Sequence, residues 1–279
     1  MEFFFVFFCT FEESLFKNPN MEFIKTEIKD QIATIIFDND KKRNSFNVKM
    51  LSESLSALKL FLQEKIRVVI IKSNTASKVW SAGFCIDELP EAGKDPLPFN
   101  HPFEELMREI EDFPAPVIAM VNGSVWGGAC DLAFSCDILI GSNESSFAIT
   151  PAKIGVPYNT TGIQHFLNIM EMNIAKEMLF TAKPISAERA YDLGILNHLI
   201  EINELENFIY EMAKTIAFNS PLSISVIKKQ LNLLGKARPM NAEIFEKIHQ
   251  LRKIAYDSYD FKEGKKAFLE KRPPNFKGI

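Results

Sequence analysis

Two continuous apolar runs, each followed by a turn that contains glycine, most constrain how this chain can fold. The runs are Val68–Ile71 and Val117–Val121, and both are typical of strands buried on their two faces. Turns follow at residues 81–89 and 122–131, and the second turn continues into a helix-like stretch. Buried strands that alternate with helices predict an α/β fold.

Strand-like and helix-like segments alternate through the first part of the chain, and mainly helical patterns follow Pro157. The predicted strands are residues 23–28, 31–37, 68–71, 117–121, 138–140, 147–149 and 196–200. One predicted helix begins at Asn47, and the others are 103–113, 127–135, 186–191, 203–218, 222–234, 242–256 and 260–270. This order predicts a core over residues 21–215 and a helical C-terminal region over residues 216–279.

The N-terminal residues 1–20 differ from the rest of the chain. Residues 3–8 are five phenylalanines and a valine, a run too short to span a membrane. The run also lacks the basic segment and the cleavage site of a signal peptide. We predict that residues 1–20 are a disordered extension or the product of a mistaken start codon, with a lipid-surface anchor as a minor alternative, and that the domain begins at Met21.

Charge and cysteine content narrow the class of protein. The formal net charge is -4 with no basic stripe, so we expect no nucleic-acid partner. The four cysteines form no CxxC pair and have no histidine at metal-ligand spacing, which argues against a disulfide framework and a metal site. We expect a cytoplasmic protein with no membrane partner.

The two glycine-containing turns have features of a binding site for negative charge. A helix N-terminus offers unpaired backbone N–H groups, and the paired glycines 127–128 let a ligand approach the backbone closely. Either turn alone is more often a plain turn than a site.

Taken together, the order and spacing of the turns resemble the crotonase, or enoyl-CoA hydratase/isomerase, superfamily from Met21 to Ile279. The resemblance implies a spiral of strand-strand-helix units and an oxyanion hole that stabilises a thioester enolate. It assigns the two hole donors to the backbone N–H groups of Phe84 and Gly128. It further implies an acyl-CoA substrate, no cofactor beyond the CoA moiety, and a homotrimer or homohexamer.

Further motifs are similar to the methylmalonyl-CoA decarboxylases within this superfamily. They occupy residues 78–83, 89–90, 95–97, 123–129, 150–151, 155–159, 194–198 and 268–272. This similarity implies decarboxylation of methylmalonyl-CoA to propionyl-CoA, with Tyr158 as the active-site tyrosine. It places the other substrate contacts at Ala82, Gly83, Phe84, Cys85, Ile86, Gly128, Thr150 and Lys271.

The carboxylates expected at two positions distinguish a hydratase from a decarboxylase in this superfamily. A hydratase of the superfamily uses two glutamates to handle water, one at position 131 and one near 152. This chain has the shorter Asp131 and Ala152 at those places. Decarboxylation needs no base, so an oxyanion hole, an apolar wall and one orienting hydroxyl suffice. Asp131 is interpreted either as a catalytic carboxylate or as a favourable charge at a helix start.

One further departure and two alternatives stay open. The decarboxylase pattern has His and Asp where this chain has Phe84 and Cys85. This departure puts substrate preference and reaction rate in question. The backbone N–H of Phe84, and with it the oxyanion hole, is kept. The first alternative is another acyl-CoA reaction, namely hydration, isomerisation or thioester hydrolysis. The second is a non-catalytic member that binds CoA or RNA. Structural roles are expected for His101, His165, His198 and His249.

Overall fold

The structure is a computed structural model that describes residues 21–74, 78–235 and 242–279. The predicted extension over residues 1–20 lies outside these ranges. The strands are β1 Ile24–Lys29, β2 Ile32–Phe37, β3 Val68–Ser73, β4 Val79–Ser81, β5 Val117–Val121, β6 Ser124–Trp126, β7 Ile138–Ser142, β8 Ser146–Ala148, β9 Ile185–Ser186 and β10 His198–Ile200. The helices are α1 Val48–Gln63, α2 Pro102–Asp112, α3 Gly128–Phe134, α4 Thr160–Ile169, α5 Met172–Thr181, α6 Ala187–Asp192, α7 Ile202–Phe218, α8 Pro221–Gly235, α9 Ala242–Asp257 and α10 Tyr259–Leu269.

The larger sheet holds six strands in the order β1-β2-β3-β5-β7-β10. Only β1 is antiparallel to its neighbour, and the other neighbours pair in parallel. Every residue of β2, β3 and β5 is buried, as expected for parallel strands covered on both faces. Helix α7 covers one face through its buried residues Leu205, Ile209 and Ala213.

A second sheet holds four short strands in the order β4-β6-β8-β9. Three of these strands belong to a structural unit that recurs along the chain. Each of β4, β6 and β8 directly follows a strand of the larger sheet and precedes a helix. The three units β3-β4-α2, β5-β6-α3 and β7-β8-α4 therefore stack, with their short strands paired in parallel. This arrangement confirms the expected spiral of strand-strand-helix units. It also brings the ends of β4 and β6 side by side.

Trp80 fixes β4 between the two sheets. Its side chain is fully buried, and Nε1 donates a 2.8 Å hydrogen bond to the Met120 carbonyl oxygen on β5. Its ring meets that of Phe37 edge to face, with centroids 5.2 Å apart. The turn that leaves β4 therefore starts from a rigid position.

Helices form most of the chain beyond residue 159, as expected. The predicted cap of α6 is present, because the Ser186 Oγ accepts a 3.3 Å hydrogen bond from the Arg189 amide. Two helices that the sequence analysis did not delimit, α4 and α5, precede it. The predicted domain boundary after residue 215 falls inside α7 and stays a prediction. Within the described residues, each helix is too short or too polar to cross a lipid bilayer.

Candidate active site

The first glycine-containing turn begins where β4 ends at Ser81. The Ser81 hydroxyl donates to the Asn44 carbonyl oxygen at 2.6 Å and accepts from the Gly83 amide at 3.1 Å. Gly83 has a φ of +85°, and a Cβ added there would collide with the Trp126 carbonyl oxygen. Only glycine satisfies both constraints, so this position is fixed by the close approach of the two turns.

The amide of the next residue, Phe84, is left facing the pocket. Phe46 accepts from the Cys85 amide at 3.0 Å and donates to the Gly83 carbonyl oxygen at 2.8 Å. In such a parallel bridge the middle residue turns its own N–H to the opposite side. Among residues 21–74, 78–235 and 242–279, no acceptor contacts the Phe84 amide.

The second turn supplies a matching amide from Gly128, the first residue of α3. An N–H in the first turn of a helix has no partner within that helix, and none contacts this one in the described part of the chain. A Cβ added to Gly128 would lie 3.4 Å from the Phe84 nitrogen, and one added to Gly83 would lie 3.0 Å from the Gly128 nitrogen. Two N–H donors without a partner among the described residues thus lie close together beside one pocket, an arrangement that suits an oxyanion hole.

The Phe84 and Gly128 amides lie beside a mainly apolar pocket. Of the residues expected to contact substrate or take part in catalysis, those that line the pocket are Ala82, Phe84, Ile86, Gly128, Asp131, Thr150 and Tyr158. Its apolar wall consists of Leu89, Leu97, Phe103, Pro151, Ile154, Val156 and Pro157. The Phe84 ring, which stands where the family pattern has histidine, packs edge to face on Phe103 with centroids 6.1 Å apart.

Three of the expected site residues do not line this pocket. Gly83 and Cys85 both bond to the Phe46 backbone. The Gly83 carbonyl oxygen accepts from the Phe46 amide, and the Cys85 amide donates to the Phe46 carbonyl oxygen. Burial raises the pKa of the Cys85 thiol, so this side chain is a poor nucleophile. Lys271 is exposed just beyond α10 and does not reach the pocket within the described part of a single chain.

Tyr158 presents a neutral hydroxyl beside the second turn. Burial, together with the negative charge of Asp131, holds the pKa of this phenol well above its ordinary value. The hydroxyl donates a long hydrogen bond of 3.4 Å to the Gly127 carbonyl oxygen. The next residue, Asn159, caps α4 by accepting from the Gly162 amide at 3.0 Å, which fixes the backbone at the tyrosine.

Asp131 lies in the first turn of α3 and is 1% exposed. Its Oδ1 is 2.5 Å from Nδ1 of His165 on α4, whereas its buried Oδ2 has no partner among the described residues. A structural role is the sequence-based expectation for His165, and the structure places its imidazole against Asp131, a carboxylate of the pocket lining. No local pattern reveals this pair, because 34 residues separate its members.

Paired backbone donors at the junction of stacked strand-strand-helix units define a protein of the class that stabilises an oxyanion through backbone hydrogen bonds. Consistent with this class, residues 27–279 match the family model described as enoyl-CoA hydratase/isomerase. The chain belongs to that family.

Two comparisons are more specific. The chain is 43% identical to methylmalonyl-CoA decarboxylase of Escherichia coli (strain K12), over 92% of this chain and 98% of the relative. It is also similar to a solved methylmalonyl-CoA decarboxylase in complex with 2-nitronate-propionyl-CoA, with a TM-score of 0.91 and 43% identity over 92% of this chain and 99% of that one. A second solved complex of this enzyme, with 2S-carboxypropyl-CoA, has a TM-score of 0.90 at the same identity and coverage.

Proposed function

We propose that this chain decarboxylates methylmalonyl-CoA to propionyl-CoA. The observation that carries the proposal is the proximity of the Phe84 and Gly128 amides beside a largely apolar pocket, in which Asp131 is the one carboxylate among the described lining residues. The relative at 43% identity supports the choice of substrate. The solved relatives hold CoA derivatives of similar shape, which supports an acyl-CoA thioester as the ligand.

The reaction starts with the thioester oxygen bound between the two amides. The bond between Cα and the carboxylate carbon breaks, CO₂ leaves, and the electron pair forms an enolate whose charge rests on the thioester oxygen. Both donors strengthen their hydrogen bonds as this charge develops, and each is worth about 3–4 kcal/mol in comparable sites. The enolate then takes a proton at Cα to give propionyl-CoA.

The remaining lining residues orient the departing carboxylate. Bond cleavage requires the carboxylate to stand perpendicular to the thioester plane, so that the breaking bond overlaps with the carbonyl π system. The neutral Tyr158 hydroxyl donates a hydrogen bond that can hold this orientation. Leu97 and Val156 offer no hydrogen bond to the carboxylate, which favours its conversion to uncharged CO₂.

Hydration of an enoyl-CoA is disfavoured by the same geometry. Adding water needs one group to activate the water and a second to protonate the carbon. Asp131 is the one carboxylate in the pocket lining within the described part of the chain, and Ala152, at the second expected position, is an exposed residue without an ionisable group.

The test is mass spectrometry of the purified chain incubated separately with methylmalonyl-CoA, malonyl-CoA and crotonyl-CoA. We expect propionyl-CoA to form catalytically from the first substrate and no hydrated product from crotonyl-CoA. Hydrated crotonyl-CoA without any propionyl-CoA would contradict the proposal. In the same preparation we expect the homotrimer or homohexamer that the family resemblance implies. Association of subunits is supported by large apolar side chains that α8 and α9 expose, among them Leu231, Leu234, Phe245 and Ile254.

A further inference from the structure

The unpartnered Oδ2 of Asp131 is a carboxylate oxygen in the wall of the substrate pocket. Asp131 is almost fully buried, and a buried carboxylate oxygen without a hydrogen bond is costly unless a ligand or a water completes it. The same residue lines the pocket beside Gly128, whose amide is one of the oxyanion donors. The carboxylate therefore belongs to the part of the pocket lining next to the oxyanion donors.

The other oxygen of this carboxylate is held by His165. The imidazole is 7% exposed and lies between two carboxylates, with Nδ1 2.5 Å from the Asp131 Oδ1 and Nε2 3.4 Å from the Glu111 Oε1. The Ser135 hydroxyl lies 3.2 Å from Nδ1 and also donates to the Asp131 backbone carbonyl oxygen at 2.8 Å. Burial alone lowers the pKa of His165, but the two carboxylates outweigh it and raise the pKa to about 10. The imidazole thus carries a proton at neutral pH.

We propose that Asp131 and His165 form a proton-donating couple, in which His165 stores the proton and orients Asp131, and Asp131 delivers the proton to Cα of the enolate. The substrate in this proposal rests on the decarboxylase function proposed above. His165 acts through Asp131 and is therefore a positioning residue.

The step balances without a further reactant. As the enolate forms, the proton on His165 Nδ1 moves to the Asp131 carboxylate. Rotation of the carboxyl group about the Cβ–Cγ bond presents the O–H to Cα, where the enolate electron pair forms the new C–H bond. Asp131 returns to its carboxylate form and His165 becomes neutral. One solvent proton then restores the imidazolium after the product leaves, which supplies the proton that the overall decarboxylation consumes.

By microscopic reversibility, the same couple removes an α-hydrogen from propionyl-CoA. The decisive measurement is therefore deuterium incorporation at C2 of propionyl-CoA in D₂O, by mass spectrometry, for the whole chain and its variants. This reaction uses the oxyanion hole and the couple but involves no loss of CO₂, so it separates the couple from the decarboxylase proposal.

We expect wild-type protein to exchange the α-hydrogen and His165→Gln to exchange about 100-fold more slowly, a typical contribution of general acid–base catalysis. Because the thioester contacts are unchanged, KM for propionyl-CoA should stay within about twofold. Asn168→Ala is the matched control. Asn168 lies one turn further along α4, and it lines, with His165 and Glu111, a second cavity behind the couple. This variant should exchange at the wild-type rate.

Glu111→Gln provides a second test if His165→Gln fails to fold. This variant keeps the shape of the side chain and removes the negative charge beside Nε2, so exchange should slow about tenfold. Exchange of the α-hydrogen without formation of propionyl-CoA from methylmalonyl-CoA would support the proton-donating couple and contradict the proposed decarboxylase function. Decarboxylation by wild-type protein with no α-hydrogen exchange, or exchange at the wild-type rate in both variants, would overturn the couple.

Discussion

The Tyr158 ring packs edge to face on Phe166, with centroids 4.9 Å apart. Phe166 is fully buried on α4, so it holds the tyrosine ring at a fixed position beside the oxyanion turn. The 3.4 Å hydrogen bond from the phenol to the Gly127 carbonyl oxygen is too long to be strong. The hydroxyl is therefore oriented by ring packing and can be redirected to a ligand at little cost.

Replacing this hydroxyl should affect catalysis more than binding. In Tyr158→Phe the ring contact with Phe166 is kept and the orienting donor is lost. We expect kcat for decarboxylation to fall about 10- to 100-fold while KM changes less than about threefold. Steady-state kinetics with methylmalonyl-CoA measure both constants. Unchanged kcat would remove Tyr158 from the mechanism, and thermal unfolding at the wild-type temperature would show that packing is preserved.

A side chain at Gly128 should disable the oxyanion hole. The Cβ of Gly128→Ala would lie 3.4 Å from the Phe84 nitrogen and 3.1 Å from the Phe103 ring, so it narrows the space that the thioester oxygen needs. We expect kcat to fall about 100-fold or more, the usual effect of losing one donor of such a hole.

The matched control is Gly235→Ala. A Cβ added at Gly235, at the end of α8, meets no atom of the described residues within 4 Å. This variant should retain wild-type decarboxylation and stability. Equal activity of the two alanine variants would contradict the assignment of the Gly128 amide.

The sequence predicts much of this fold because its main strands are long apolar runs. The bounds of β5, Val117–Val121, are the same in the prediction and in the structure, and α1 begins directly after the expected Asn47. The sequence predicts no strand for β4 and a turn for the residues of β6, since three residues are too few to show a period of two. Their pairing depends on the stacking of whole units, which a local pattern does not contain.

The candidate site shows the same contrast between features that a local sequence pattern predicts and features that depend on contacts between distant residues. The backbone donors of Phe84 and Gly128 are anticipated because the glycines that position them have a fixed spacing. His165 is missed because its partner Asp131 belongs to another helix, and nothing near residue 165 indicates a buried carboxylate. The role of Lys271 comes from the family resemblance, and its contact with substrate stays a prediction, since the side chain is exposed and is not among the described residues that line the pocket.

Lys228 on α8 should contribute strongly to stability. Its ammonium group lies 2.7 Å from the Asp137 Oδ2 and donates to the carbonyl oxygens of Ile110 at 3.0 Å and Ala115 at 3.2 Å, and the side chain is 8% exposed. In Lys228→Met these three acceptors lose their bond to the ammonium group, and the Asp137 carboxylate, which still accepts from the Val117 amide at 2.7 Å, loses its cationic partner, so the free energy of unfolding should fall by about 3 kcal/mol or more. Urea denaturation followed by tryptophan fluorescence measures the loss.

The adjacent Lys229 offers a control at nearly the same place. It pairs with Asp112 at 2.7 Å, but both side chains are 58% exposed. A solvated pair of this kind contributes less than about 1 kcal/mol. Lys229→Met should therefore leave the urea midpoint almost unchanged. Similar losses in the two variants would show that helix composition, and not the buried pair, determines the effect.

The buried imidazole of His165 should make stability depend on pH in the alkaline range. Its pKa is raised to about 10 in the folded chain, against an ordinary value near 6.5 in the unfolded chain. The groups that face it or act on it electrostatically are Asp131, Glu111, Ser135 and Glu104. A raised folded pKa gives stability that is fully present below about pH 6.5 and is lost as pH rises through about 10.

The advantage of wild-type protein over His165→Gln in the free energy of unfolding should therefore be constant near pH 6 and shrink steadily between about pH 6.5 and 10. Urea denaturation at pH 6, 8 and 10 measures this difference. Asn168→Ala removes no titrating group, so its free energy of unfolding should differ from that of wild type by the same amount at each pH. A difference for His165→Gln that does not change over this range would mean that the imidazole is neutral in the folded chain. The Asp131 carboxylate would then face the pocket without a charged partner, and His165 would hold no proton for the enolate.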